Sequence, residues 1–364
     1  MRAYILDRDT LATLGLVGEA STRLTLKRRF WGVDTIELVA NWRQAPNLEA
    51  GRLLFVPDPS GGDQLVYLVD TLEIDQSGSA ANYTMTANGS SIEGLPRLCL
   101  PTAGMAYDSQ TSVAAETAMK HYVGDNMGPA AAAARIVPGL ACAADIARGA
   151  VISKDARYQN LVDLLAEIGQ AGALGWKTTL ATTLGLPSGF TFDVIAGTDR
   201  SASVFFDFSF ETLASWTELT NLSGSISLAL VAGQGLGAAR DIVTRPAVEP
   251  TGFDRREAFV DARDVTVGDT TLLGRRGDDV LAANAGQFSL EANVSAYGSF
   301  RYGVDWFLGD IVTVRNKERG LSYPARIVEV DETVQSSVVP EVVAILGRPF
   351  PTSPAGLIST SELA

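Results

Sequence analysis

The stretch from Gly309 to Gly347, GDIVTVRNKERGLSYPARIVEVDETVQSSVVPEVVAILG, decides how the rest of the chain is read. After Gly309 and Asp310, Ile311 and Thr313 alternate with Val312 and Val314, the period of two that a strand requires. A polar turn holding Gly320 follows. The run Ala325–Asp331 then ends apolar, Glu329, apolar, Asp331, and a third run, Val342–Leu346, closes on Gly347. The same plan stands near the other end of the chain. Gly51 opens Arg52–Val56, a turn carries Gly61 and Gly62, Leu68–Asp75 ends in Leu72-Glu73-Ile74-Asp75, and Tyr83–Asn88 closes on Gly89. Both units span the same number of positions. Matched order, spacing and end residues indicate an internal duplication. They predict two separate small barrels in which Gly51 matches Gly309, Asp75 lies near Asp331 and Gly89 matches Gly347. One continuous sheet through both units, or a different strand order, would count against that expectation.

Bulk composition narrows the function classes. A chain of 364 residues can bury two or three cores. With 46% hydrophobic and 20% charged residues it reads as globular. The net charge of −13 argues against a phosphate-binding surface, which needs clustered Lys and Arg. A mean hydropathy of +0.13 points to surface covered in an assembly. No membrane segment is expected, because the most apolar region, Pro129–Ile152, carries Arg135, Pro138, Asp145 and Arg148. Asp7, Arg8 and Asp9 break the apolar start, so no secretory signal is expected either. Cys99 and Cys142 are too few for a disulfide framework and suit small core residues of a chain made in a reducing cytoplasm.

Taken in order, residues 1–103 read as a first β-barrel-like domain, with Leu24 and Leu26 alternating against Thr25 and Lys27, then Ile36 and Leu38 against Glu37. Residues 104–200 read as an α+β domain. Ala115, Ala118, Met119 and Tyr122 fall on one helical face, ended by Gly124 or Gly128. Asn160 is placed to cap a second helix with the stripe Leu161, Leu164, Leu165 and Ile168, ended by Gly172. A hairpin, Trp176–Thr183 and Phe190–Ile195, is expected to turn over Leu186–Gly189. Residues 201–348 form a second β-barrel-like domain with a short helical insertion at Thr270–Ala283. In it Phe206, Phe208 and Phe210, then Ile226, Leu228 and Leu230, then Phe253–Val265, carry strand character. The prolines after Gly347 make residues 349–364 an extended arm. The fold class is mainly β with an α+β insertion.

The residues that could carry chemistry are few. His121 sits on the first helix, and with one histidine and two distant cysteines no Cys/His zinc cluster is available. A Ser-His-Asp triad would have to use His121, which reads instead as a polar-face residue. Gly233, Gly235 and Gly237 resemble a dinucleotide turn, but Arg245-Pro246 follows too soon for the helix that turn must open. A glycine hairpin turn fits better. Lys27-Arg28-Arg29 is too short for a nucleic-acid patch. The densest charged stretch holds Arg255, Arg256, Glu257, Asp261, Arg263 and Asp264. On an alternating strand Glu257, Phe259, Asp261 and Arg263 share a face, which makes these six charged residues candidate interface positions rather than a catalytic carboxylate pair. No catalytic residue, cofactor or metal is expected.

Several stretches carry a resemblance. Leu26–Leu38 (LKRRFWGVDTIEL) with Val69–Glu73, Ala156–Leu165 (ARYQNLVDLL) with Leu174–Trp176, Gly252–Asp264 (GFDRREAFVDARD), and Leu308–Val314 with Arg326–Val330 resemble baseplate-hub or tail-tip proteins of long-tailed bacteriophages. The likeness runs from about residue 20 to residue 348. It implies two related β-barrel domains with α+β material between them, and a homotrimer that closes the distal end of the tail tube. It also implies contacts with the tube or distal tail ring, with other tail-tip proteins and with the tape-measure protein, and genome DNA passing without specific binding. The implied location is the virion tail, assembled in the host cytoplasm. Stopping soon after the second β domain leaves no expected room for a peptidoglycan hydrolase or receptor-binding domain. A host-envelope enzyme or glycan-binding module is the competing reading, separable by a cell-wall digestion assay.

Overall fold

The computed structural model describes residues 3–17, 22–57, 64–76, 83–207, 212–294, 299–335 and 340–347. Gly61, Gly62, Phe208, Phe210 and the arm expected over 349–364 lie outside these residues. The first strands are β1 (Tyr4–Leu6), β2 (Thr13–Leu16), β3 (Arg23–Arg29), β4 (Thr35–Asn41), β5 (Leu53–Pro57), β6 (Gln64–Gln76) and β7 (Tyr83–Ser91). Next come β8 (Asp108–Ala114), α1 (Ala115–Asn126), β9 (Leu140–Cys142), β10 (Val151–Ala156), α2 (Leu161–Gly172), β11 (Gly175–Thr183) and β12 (Leu186–Ile195). The chain continues through β13 (Phe205–Phe206), β14 (Leu213–Asn221), β15 (Leu228–Ala232), β16 (Ile242–Arg245) and β17 (Glu257–Asp261). It then runs through α3 (Thr270–Ala283), β18 (Gln287–Val294), β19 (Ile311–Asn316), β20 (Leu321–Gln335) and β21 (Glu341–Gly347).

The mainly β reading holds, but two separate barrels do not form. A single sheet of 16 strands follows the path β14-β18-β21-β20-β3-β4-β7-β6-β11-β12-β9. It crosses from one unit to the other where β20 lies antiparallel to β3. Edge chemistry suits the joint: Lys27 and Arg29 of β3 lie opposite and pair with Asp331 and Glu329 of β20, so the two units share one ladder.

What repeats is a block of four strands. The orders β3-β4-β7-β6 and β14-β18-β21-β20 occupy equivalent places, with β5 added to β6 and β19 to β20. The match reaches the backbone. Gly51 and Gly309 have φ +84 and +89, a conformation that glycine adopts without a steric penalty. The Gly51 N–H donates to Val69 O at 2.8 Å, and the Gly309 N–H donates to Ile327 O at 2.9 Å. The return bonds, Val69 N–H to Arg52 O and Ile327 N–H to Asp310 O, are both 2.9 Å. A bulge then skips Asp70 in one pair and Val328 in the other. These bulges correct two expected matches: Glu73, rather than Asp75, is the counterpart of Asp331, and Leu346, rather than Gly347, is the counterpart of Gly89. Chain placed between β14 and β18 lengthens the second block, whereas β3 and β4 are joined by a short turn.

By internal contacts the chain falls into two compact units, one holding residues up to Thr217 together with Glu291–Gly347, the other Glu218–Leu290. In the first, successive residues of β5 feed opposite cores. Leu54 and Val56 pack with Leu24, Leu26, Ile36, Leu38 and Tyr67. Leu53, with Leu6 and Val66, joins the core made by Met119, Tyr122, Leu164, Leu165, Trp176 and Phe192. Residues 104–200 thus share a core with β1, β5 and β6, and the boundary expected at residue 103 does not separate two cores. Both expected helical stripes are buried, and the Asn160 side chain accepts from the N–H groups of Val162 and Asp163 at 2.9 and 3.4 Å. The β11–β12 turn is at Leu184 and Gly185, with φ +52 and +80, so the turn expected over Leu186–Gly189 sits inside β12.

The second unit is a three-stranded sheet, order β16-β15-β17, covered on one face by α3. Ala229, Val231, Ala262, Val265 and Leu273 form its core. The strand expected over Phe253–Val265 shortens to Glu257–Asp261, because Gly252–Asp254 makes a tight helical turn first.

Candidate functional site

A sheet edge offers a row of unpaired N–H and C=O groups, so an edge left open is a ready docking surface. The seam between β3 and β20 shows what such an edge looks like when filled. Lys27 Nζ lies 2.6 Å from Asp331 Oδ2, and Arg29 Nε lies 2.7 Å from Glu329 Oε2. The Thr25 and Thr333 hydroxyls are 3.3 Å apart on the same face. Arg28, facing the other way, donates to the Tyr302 hydroxyl at 2.9 Å. Beside it Asp34 and Glu93 are buried, and burial pushes the Asp34 carboxyl up to about 7 and raises that of Glu93.

The corresponding edge on β6 is open. Thr71–Gln76 pairs with β7 on one side and, among the described residues, with nothing on the other. Thr71, Glu73, Ile74, Asp75 and Gln76 are exposed, whereas their counterparts on β20 are mostly covered by β3. Ile74 is 54% exposed, a large apolar side chain on an uncovered strand. At the far end of the path, β14 holds the place in its block that β3 holds in the other, and among the described residues no strand pairs with its outer edge.

The six charged residues singled out in the sequence lie in the second unit, on or next to its edge strand β17. Glu257, Phe259 and Asp261 are exposed on one face and Ala262 is buried, as alternation requires. Each charge is held locally. Arg255 bonds Glu249 at 2.6 Å and Glu257 at 2.5 Å, and Arg256 donates to Leu222 O and to Ser225 Oγ. Asp261 takes Arg240 and, at 3.3 Å, Arg263, while Asp264 pairs with Arg276 at 2.6 Å. Arg240 also lies 5.7 Å from the centre of the Phe259 ring.

His121 is paired with Asp108, its Nε2 lying 2.9 and 3.0 Å from the two carboxylate oxygens, and Asp125 lies 3.8 Å away. Asp108, His121 and Asp125 could offer three ligand atoms to a metal ion. The hydrogen bond to Asp108 raises the His121 pKa, which favours a charged imidazolium over a metal-binding ring. Cys99 is buried and Cys142 Sγ contacts Lys120 O at 3.6 Å. Gly233, Gly235 and Gly237 lie in the connection between antiparallel β15 and β16, in agreement with the hairpin reading. The sequence drew attention to Glu73 and Asp75 only as end residues of a repeat. Their exposure on an open edge depends on long-range strand order, which among the described residues puts no strand beside them.

The fold is shared with known structures at low sequence identity. The 43 kDa tail protein of prophage MuSo2 from Shewanella oneidensis superposes with a TM-score of 0.53 at 11% identity, covering 96% of this chain and 99% of that one. The tail protein from Neisseria meningitidis MC58 gives 0.52 at 12% identity over 95% and 96%. Prophage tail protein gp18 from Listeria monocytogenes EGD-e gives 0.50 at 10% identity over 95% and 94%. No curated protein sequence matches the chain. The family model described as Siphovirus ReqiPepy6 Gp37-like protein matches residues 2–348, nearly the whole sequence, and the chain belongs to that family.

Proposed function

We propose that this chain is a structural hub of a siphovirus tail, three copies of which form a ring that joins the distal end of the tail tube to the tip. The observation that carries this reading is the repeated four-strand block whose internal joint, β3 on β20, has among the described residues an unfilled equivalent at each end of the block pair. A strand order that repeats once within a chain and ends in two different open edges suits a closed ring of heterologous contacts, since the outer edge of β14 can complete β6 of the next copy. Three chains then supply six similar blocks, which reconciles a threefold tip with a sixfold tube. The phage tail proteins that share the fold support a structural role over a catalytic one. A net charge of −13 suits a wall past which DNA slides without sticking. The charged stretch around β17 is the proposed contact for other tail proteins. Counting copies per tail by imaging tests the reading: three are expected, and one or six would overturn it.

A further inference from the structure

Three stretches without Asp or Glu, residues 94–107, 126–144 and 156–162, each bring one arginine, and the fold sets them together. Leu98 bridges Asn160 in antiparallel fashion, the Cys99 N–H donates to Gln159 O at 2.8 Å, and the Tyr158 N–H donates to Cys99 O at 2.7 Å. From the remaining stretch Arg135 donates to Leu98 O at 2.5 Å and to Asn126 O at 3.3 Å. Alternation buries Cys99 and leaves Leu98 and Leu100 outside, 49% and 39% exposed. Tyr158 is 56% exposed and holds φ +54, a left-handed conformation that a bulky side chain seldom takes. The Arg157 guanidinium lies 5.4 Å from the centre of its ring and 5.9 Å from that of Tyr107. Arg97, Arg135 and Arg157 meet no carboxylate among the described residues. Arg29, Arg148 and Arg255, by contrast, meet Glu329, Glu116 and Glu257 at 2.7, 2.8 and 2.5 Å. Two acids near the patch are engaged as well, Glu167 by Lys154 and Gln159, both at 2.7 Å, and Asp108 by His121. We infer that this surface docks an acidic segment of another protein, one that also carries apolar side chains. Guanidinium groups take carboxylates in bidentate pairs, and one held over two tyrosines is placed in advance for such a pair. Tyr158 with the three arginines gives the aromatic and arginine content that interfaces favour, and the two leucines add apolar area. A long polyanion fits worse, because the net charge of −13 repels every phosphate beyond the few that three arginines neutralise. Such docking holds whatever the number of copies in the tail.

The test uses the purified full chain and a short fluorescein-labelled peptide of alternating glutamate and leucine, with binding followed by fluorescence anisotropy. Binding is expected, and it should weaken as NaCl screens the charges. A peptide of alternating glutamate and serine should bind less tightly, since it lacks the apolar contact. Arg97→Gln with Arg157→Gln should weaken binding roughly three- to tenfold, within the range for two exposed charge contacts. Leu98→Ser with Leu100→Ser should weaken it as well. Arg43→Gln, at an exposed arginine on the turn after β4, should leave it unchanged. Thermal melts of the variants should coincide with that of the unaltered chain, and should one pair melt early, the other still decides. No binding of the glutamate–leucine peptide, or binding that neither pair alters, would overturn the inference. So would tighter binding of an oligothymidylate of matched length, which would give the surface to nucleic acid. Self-association abolished by the arginine pair would give it to a second copy and overturn the inference too. The ring reading fails separately, on the copy number seen in tails.

Discussion

A Cβ on Gly309 would stand 2.4 Å from Cε2 of Phe30, so the ring occupies the space a side chain would need. Gly175 flanks the same ring, where an added Cβ would lie 2.3 Å from Cδ2. The Arg326 guanidinium lies 5.1 Å from the ring centre and donates to Gly309 O at 2.6 Å. Phe30 also donates its N–H to Val328 O at 2.8 Å, at the bulge of β20. One aromatic thus ties the end of β3 to the second block and to β11. Phe30→Ala should cost about 3–5 kcal/mol in chemical denaturation, the range for a buried aromatic replaced by a cavity. A loss within the roughly 0.5 kcal/mol of ordinary surface changes would show that the wedge has no structural role.

Glu116 is fully buried and meets two cations. Lys120 Nζ lies 2.6 Å from its Oε1, and Arg148 donates to both its oxygens at 2.8 and 2.9 Å. Asp193 shares both cations, at 3.1 and 3.0 Å. Glu116→Ala strands buried positive charge and should cost about 3–5 kcal/mol. Burial by itself would raise the Glu116 pKa, but the hydrogen bonds from Arg148 and Lys120 outweigh it and hold the group at about 2. A folded value below the ordinary 4.5 gives stability that is present above about pH 4.5 and lost as pH falls toward 2. Melting curves between those values should show this acid limb, and Glu116→Gln should remove its share of it.

Two other groups act at the neutral side. His121 is raised above 6.5, chiefly by its bond to Asp108, so its contribution is complete below pH 6.5 and fades as pH rises through the higher folded value. Asp34 is raised from 3.8 to about 7 by burial, so folding favours its protonated form and stability declines as pH climbs between those values. Urea midpoints should therefore drop on going from pH 6 to pH 8. Asp34→Asn should be less sensitive between pH 4 and 7, and His121→Gln less sensitive above pH 6.5. Midpoints that rise over the same interval in the unaltered chain would contradict both assignments.

Local pattern carried much of this fold. The stripes Ala115–Tyr122 and Leu161–Ile168, the Asn160 cap and the bounds of Thr270–Ala283 follow from periodicity and capping, which depend on neighbours within a turn or two. The glycines at 51 and 309 were legible because a positive φ selects them. The joining of two units into one sheet was not, since it depends on Lys27 meeting Asp331 and Arg29 meeting Glu329 some three hundred residues away. The charged stretch Arg255–Asp264 illustrates the same limit. Its alternation was readable, but the partners Glu249, Arg240 and Arg276 were supplied by the fold. The open edge of β6 was least legible of all, because an edge is defined by the strand that does not arrive.

Gly51 and Gly309 provide a paired experiment within one molecule. Their backbone angles and hydrogen bonds agree, so an added Cβ meets the same conformational penalty at both, about 1–2 kcal/mol for a left-handed residue. Their surroundings differ. At Gly51 the nearest atom to a new Cβ is the end of the Arg8 side chain, 3.3 Å away, which can swing aside. At Gly309 it is the Phe30 ring, which is itself held by Gly175 and Arg326. Gly51→Ala should therefore cost little beyond the conformational penalty, while Gly309→Ala should add an overpacking cost of roughly 1–3 kcal/mol. Denaturant titration of the two variants gives the difference directly, because the shared backbone penalty cancels. Combining Gly309→Ala with Phe30→Leu should recover part of the loss at 309, whereas Phe30→Leu should only add to the loss at 51. Equal losses for the two single variants would mean that Phe30 yields freely and that its wedge does not hold the second block in register.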